Sequence, residues 1–116
     1  MAATLFIIND GPYGNERAYN ALRLAGALAG KDGQRVRVFL LADAVACAKS
    51  GQKVPDGYYN VQLMLGKVLR SGEVALCGTC MDARGIAEGE VIEGARRGTM
   101  SLLADWTATS AKVLVF

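Results

Sequence analysis

Apolar residues follow two rhythms along this chain. Residues 4–8, Thr-Leu-Phe-Ile-Ile, are a short continuous run of β-branched and aromatic side chains that stops at the turn Asn9-Asp10-Gly11-Pro12. Such a run predicts a strand buried on both faces. Over residues 16–29 the rhythm lengthens: Ala18, Ala21, Leu22, Ala25, Leu28 and Ala29 recur at spacings of three and four, and Gly30 stands where a helix would stop. Residues 35–41 return to a strand-like run, after which Asp43 is placed to cap a short helix ending at Ala48. One βαβ unit closes there.

Residues 50–59 carry two glycines, a proline and no helical period, which predicts an exposed loop near strand ends, a candidate lid. Asn60 then precedes a helical face made of Val61, Met64, Leu65, Val68 and Leu69, and Gly72 separates it from a third strand at residues 74–77. The stretch 78–98 is glycine-rich; it predicts a helical turn or two near residues 81–86 and a short edge strand at Val91-Ile92. Thr99 opens a last helix with Leu102, Leu103 and Trp106 inward, and residues 112–116 form a final strand. Alternating strands and helices predict a single-domain α/β fold, a three-layer sandwich around a mainly parallel, flavodoxin-like sheet. In that strand order the first and third strands flank the topological switch point, where open sheets bind ligands beyond the carboxyl ends of their strands. The loops at residues 9–14 and 78–84 would then lie side by side.

Composition narrows the function classes. The chain has 116 residues, 52% of them apolar, which supports one well-buried domain. Thirteen Lys and Arg against eleven Asp and Glu are interspersed, so nucleic acid is not expected as a partner. The longest uncharged stretch is the ten residues from Gly57 to Gly66, far below the ~20 that span a bilayer, and the first residues do not have the charged start and cleavage site of a secretory leader. A soluble cytoplasmic protein with no membrane partner is expected. The mean hydropathy of +0.22 is high for a small domain and predicts a homo-oligomer that covers apolar surface.

Histidine is absent, which removes Ser-His and Cys-His nucleophilic pairs and every His-ligated metal site. The sharpest chemical feature is Cys77-Gly78-Thr79-Cys80, at the carboxyl end of the third strand. Free backbone N–H groups, a helix start and Arg84 would favour a thiolate there, with Cys77 as nucleophile and Cys80 as resolving partner. Gly78 and Thr79 are small enough to leave both sulfurs accessible. A structural pair of buried thiols is the rival reading. Zinc would need a fourth ligand beyond Cys47, Cys77 and Cys80, so no metal or other cofactor is expected. Cys47, between two alanines, reads as a small core residue. A thioredoxin-type exchanger is disfavoured, because the motif comes late and no proline follows residue 55. The Gly11-Pro12-Tyr13-Gly14 turn is either a plain βα connection or a cradle for an anion.

From Cys77 to Ile86 the residues Cys-Gly-Thr-Cys-Met-Asp-Ala-Arg-Gly-Ile resemble the DsrE/DsrF-like family, and within it the YchN-type members. The resemblance runs along the chain, through Gly-Pro-Tyr-Gly at 11–14, Leu-Arg-Leu-Ala at 22–25, Phe-Leu-Leu-Ala-Asp-Ala-Val at 39–45, Gly-Gln-Lys at 51–53, Asp-Trp-Thr at 105–107 and Lys-Val-Leu-Val-Phe at 112–116. It implies a parallel α/β sandwich assembled as a homotrimer or homohexamer, and kinship with relay subunits that carry sulfur as a cysteine persulfide between donor and acceptor proteins. It places the sulfur-accepting cysteine on Cys77 and the family's second cysteine on Cys80. Asn9, Gly11 and Tyr13 would shape the entrance, and Gly78, Thr79 and Arg84 would hold the negative sulfur. A non-catalytic oligomer with a redox-sensitive cysteine clasp and a dithiol oxidoreductase are the alternatives.

Overall fold

A computed structural model describes residues 2–116. In chain order the elements are β1 (Ala2–Ile8), α1 (Arg17–Ala29), β2 (Gln34–Leu40), a 3-10 segment (Ala42–Ala48), α2 (Val61–Leu69), β3 (Glu73–Cys77), α3 (Gly78–Ala83), a 3-10 turn (Glu88–Glu90), β4 (Arg96–Gly98), α4 (Met100–Thr109) and β5 (Lys112–Val115). Every strand pairing is parallel, and the sheet order is β4-β3-β2-β1-β5.

Right-handed crossovers explain the layers. From β1 to β4 the chain steps steadily toward one edge, which puts α1 and α2 on one face; α4 returns from β4 to the far edge at β5 and so lies on the other. Alternation along the strands follows. Phe39 meets Trp106 of α4 edge to face at 6.0 Å between centroids, while its neighbours Val38 and Leu40 point to the opposite layer. Leu5, Phe6 and Ile8 of β1 are fully buried, as a strand covered on both faces requires. The apolar stripe of α1 puts Ala18, Ala21, Leu22 and Ala25 in the core, and these small side chains let α1 sit close beside α2. Arg37 pins the end of α4 by donating to the hydroxyls of Thr109 and Ser110. No helix of residues 2–116 is long and apolar enough to cross a membrane.

Strand order is the main correction. β2 lies between β1 and β3, so the loops after β1 and β3 are not neighbours, and the order reverses between β1 and β5 instead. Periodicity identifies strands but does not say toward which edge each crossover moves. At the reversal, the backbone and side-chain amides of Asn9 both donate to the backbone oxygen of Phe116. The edge strand is Arg96–Gly98, while Val91 makes one isolated antiparallel bridge to Lys49. Charged residues on a sheet edge leave no apolar rhythm to read. α3 begins at Gly78, earlier than expected, and Asp43 is no cap: the 3-10 segment starts after Leu41, and the Asp43 carboxylate pairs with Arg84.

Gly72, between α2 and β3, is a close approach that the fold depends on. A Cβ there would lie 2.4 Å from the carbonyl oxygen of Val36 and 3.1 Å from that of Val68, whereas nothing comes within 4 Å of one on Gly14. Gly72→Ala should therefore destabilise the protein by about 1–3 kcal/mol, the usual range for overpacking against backbone, with Gly14→Ala near neutral. Urea unfolding checks this as a lowered midpoint at unchanged slope.

Candidate functional site

β3 runs straight into α3, and the junction is Cys77. Its residue is only 8% exposed, and its sulfur accepts the backbone N–H of Cys80 at 3.3 Å, with the Thr79 hydroxyl also 3.3 Å away. Cys77 is thus the N-cap of α3, its sulfur standing where a serine or aspartate oxygen usually accepts an orphan amide. Burial pushes the thiol pKa up, but hydrogen bonds from the Cys80 and Thr79 side chains and backbones outweigh it, and the net shift is downward.

Cys80 sits one turn on and is held differently. Its sulfur accepts the backbone N–H of Ala42 at 3.2 Å. Ala42 has a left-handed φ of 51°, a conformation uncommon for residues with a Cβ, which aims its amide at α3. Burial and the neighbouring Cys77 sulfur push the Cys80 pKa up. The pair is therefore polarised: Cys77 is the readier thiolate and Cys80 stays protonated.

Two arginines flank the pair. Arg84 donates from Nε and Nη2 to Asp43 Oδ1 and from Nη1 to the Cys80 carbonyl, so it serves the Cys80 side and the 3-10 segment. Arg97, which sequence reasoning missed, serves the Cys77 side. A Cβ on Gly78 would come within 2.6 Å of Arg97 Nε, so glycine lets the guanidinium lie against the backbone between the two cysteines. Asp82 holds that guanidinium through both Nη groups, at 3.0 and 2.8 Å. Gly98, in register with Cys77 on β4, also leaves little room for a side chain, because a Cβ would sit 3.0 Å from Phe39 Cε2. Between these groups and the start of α4 lies a cavity of about 200 Å³, with Cys77, Thr79 and Met100 on its walls. A larger groove of about 620 Å³ lies at the opposite end of β3, around Gly72, Glu73 and Arg96, and holds no nucleophile.

The structure brings Cys77, Gly78, Thr79, Cys80 and Arg84 together and places the β1 loop elsewhere. Asn9 is engaged with Phe116. Tyr13, at a φ of 67°, shares a hydrogen bond with Gln52, accepts the Val61 backbone N–H and packs against Tyr59; Gln52 in turn ties residues 50–59 to Cys47 and Lys49. Gly11 touches the site only indirectly, through Asp43, whose Cβ would lie 3.5 Å from a Cβ on Gly11. Cys47 is fully buried and its pKa is pushed up to about 12 by that burial. Among the described residues, no group of three His, Cys, Asp or Glu side chains converges to hold a metal ion. The missed signal was Arg97-Gly98-Thr99: an arginine and a glycine immediately before a helix cap.

Comparison with known proteins gives the same outline. The profile of the DsrE/DsrF-like family matches residues 2–116. YchN of Escherichia coli is 42% identical over the full length of both chains, and its crystal structure superposes with a TM-score of 0.94 over all of each chain. An uncharacterised protein of Methanopyrus kandleri is 41% identical over 95% of this chain and 90% of its own. A protein of unknown function from Methanobacterium thermoautotrophicum shares the fold at 12% identity, with a TM-score of 0.76 over the whole of both chains.

The hydrogen bonds predict the order of thiol reactivity. At neutral pH iodoacetamide should modify Cys77 first, with Cys47 inert in the folded protein. Thr79→Val removes a hydroxyl that stabilises the thiolate, so the Cys77 pKa should rise and its rate at neutral pH fall about two- to tenfold, the worth of one hydrogen bond; Thr79→Ser should restore both. Peptide-resolved alkylation rates against pH check the direction.

Proposed function

The chain belongs to the DsrE/DsrF-like family, and on that premise we propose that it is a cytoplasmic sulfur carrier that holds sulfur as a persulfide on Cys77. The observation that carries this reading is the Cys77 sulfur itself, a buried helix cap with a lowered pKa that opens on a small cavity. A thiolate is the nucleophile that sulfur transfer needs, and partial burial protects what it accepts. Three free thiols among the described residues fit a reducing compartment.

The chemistry is a pair of displacements. The Cys77 thiolate attacks the outer sulfur of a donor persulfide, forming a new S–S bond as the donor's own S–S bond breaks and its inner sulfur leaves as a thiolate. Cys80, higher in pKa and adjacent, stays protonated while the cargo is held. When Cys80 loses its proton it attacks the Cys77 sulfur, expelling hydrosulfide and leaving a Cys77–Cys80 disulfide, so the two cysteines are oxidised as the carried sulfur is reduced. Cys80 therefore limits the lifetime of the cargo unless an acceptor protein takes it first.

The family resemblance extends the proposal to a homotrimer or homohexamer. Exposed Tyr58, Leu63, Met100 and Val115 support assembly, being large apolar side chains that further copies of the chain would cover.

Incubating reduced protein with a low-molecular-weight persulfide, followed by non-reducing mass spectrometry, tests the carrier reading. An extra sulfur on Cys77 is expected, abolished by Cys77→Ser and longer-lived in Cys80→Ser. Loading of the Cys77→Ser variant would overturn the carrier reading, and a mixed disulfide between Cys77 and the donor thiol in place of a persulfide in Cys80→Ser would instead indicate a dithiol redox protein.

A further inference from the structure

The cavity beside Cys77 has one charged wall. Its other surfaces are the sulfur, the backbone at Gly78 and Gly98, and the uncharged side chains of Thr79, Thr99 and Met100; the charge is the Arg97 guanidinium. Asp82 occupies the two Nη groups, and the guanidinium lies over Gly78, with Nε, Cζ and Nη2 all within 2.9 Å of where a Cβ would be. Among the described residues, Nε has no hydrogen-bond partner, and it is the atom closest to where a Gly78 side chain would be. An arginine whose Nη groups are paired and whose Nε is not, on the wall of a cavity that the nucleophile also lines, is arranged to meet an anion that enters with the reacting atom.

We propose that Arg97 makes this cavity selective for small anionic sulfur compounds, persulfides bearing a carboxylate close to the outer sulfur that Cys77 attacks, and that Asp82 sets the strength of that selection. The inference deepens the carrier reading by naming the class of donor, and it rests on Cys77 being the nucleophile. Arg84 does not share this role, because its guanidinium is committed to Asp43 and the Cys80 carbonyl. Gly78 is required by the same arrangement, since any side chain there would displace the guanidinium. The anions that face Arg97 are Asp82, Glu88 and the Cys77 thiolate itself, so removing Asp82 leaves the entering anion with less competition.

Iodoacetate and iodoacetamide provide the test. Both attack the same thiolate and lose the same iodide, so the ratio of their rates at Cys77 cancels the thiolate fraction and reports only the charge that the reagent meets. In the wild-type protein the iodoacetate-to-iodoacetamide ratio should exceed that of a free thiol with no charge of its own beside the sulfur, such as 2-mercaptoethanol. Arg97→Gln should lower it by roughly two- to fivefold, the scale of one screened charge, with Arg97→Lys intermediate; Asp82→Asn should raise it, and added salt should shrink every difference. Continued inertness of Cys47 to both reagents shows that each variant is folded, and Asp82→Asn decides the matter should Arg97→Gln fail that check. An unchanged ratio in Arg97→Gln, or a lowered one in Asp82→Asn, overturns the proposal, as does an equal fall in both rates, which would make Arg97 a tuner of the thiol and not a selector of its partner. Persulfide loading is read separately: a wild-type protein that shows the charge preference but takes up no sulfur would refute the carrier reading and leave the selectivity standing.

Discussion

The hydrogen bond from the Cys80 amide to the Cys77 sulfur joins the architecture of this protein to its chemistry. A helix that starts without a partner for its first amides carries unsatisfied donors, and β3 delivers Cys77 where a capping oxygen would otherwise be. A thiolate is a better acceptor than a thiol, so the helix start favours the charged sulfur and the charged sulfur favours the helix start. Removing the sulfur disturbs both. The glycine that follows completes the arrangement by letting a guanidinium rest on the backbone at the same turn.

The site is also symmetrical in its supports. Each cysteine has one arginine near it, and each arginine is held by one aspartate: Arg84 by Asp43 on the Cys80 side, Arg97 by Asp82 on the Cys77 side. The supports differ in where they come from. Asp43 and Ala42 belong to the connection after β2, and Arg97 belongs to β4, so both strands that flank β3 contribute a wall. The sheet order matters for this reason, since with β1 in place of β2 neither the Ala42 amide nor Asp43 would reach α3.

How much of this was legible in the sequence depended on burial. The interior strands β1, β2 and β3 are written in runs such as Leu5-Phe6-Ile7-Ile8, and Asn60 and Thr99 cap their helices as their residue types suggest. The cysteine motif stood at a strand end, and the structure puts it there. Strand order was not legible, because hydrophobic period records which residues are inside and carries no information on direction across the sheet. β4 was missed because Arg96-Arg97-Gly98 is charged and lies at an edge, and Arg97 went with it. Arg84 lies toward Cys80 for a related reason: four residues along a short helix from Cys80, it is nearer in sequence to the pair than Arg97, but tertiary pairing with Asp43 decides where its charge sits. Asn9 and Tyr13 stand beside a conspicuous turn, and their partners Phe116 and Val61 are distant in sequence, so only the fold reveals what they bind.

Cys47 has a use that follows from its depth. The thiol lies under the 3-10 segment with no exposed surface, against the backbone oxygen of Asp10, and nothing in solution reaches it until that segment lifts from the β1 turn. Its labelling rate is therefore the rate or free energy of that opening, much as amide exchange reports local unfolding. Because the same segment carries the Ala42 amide and Asp43, the chain contains its own gauge of how often the support behind Cys80 comes undone.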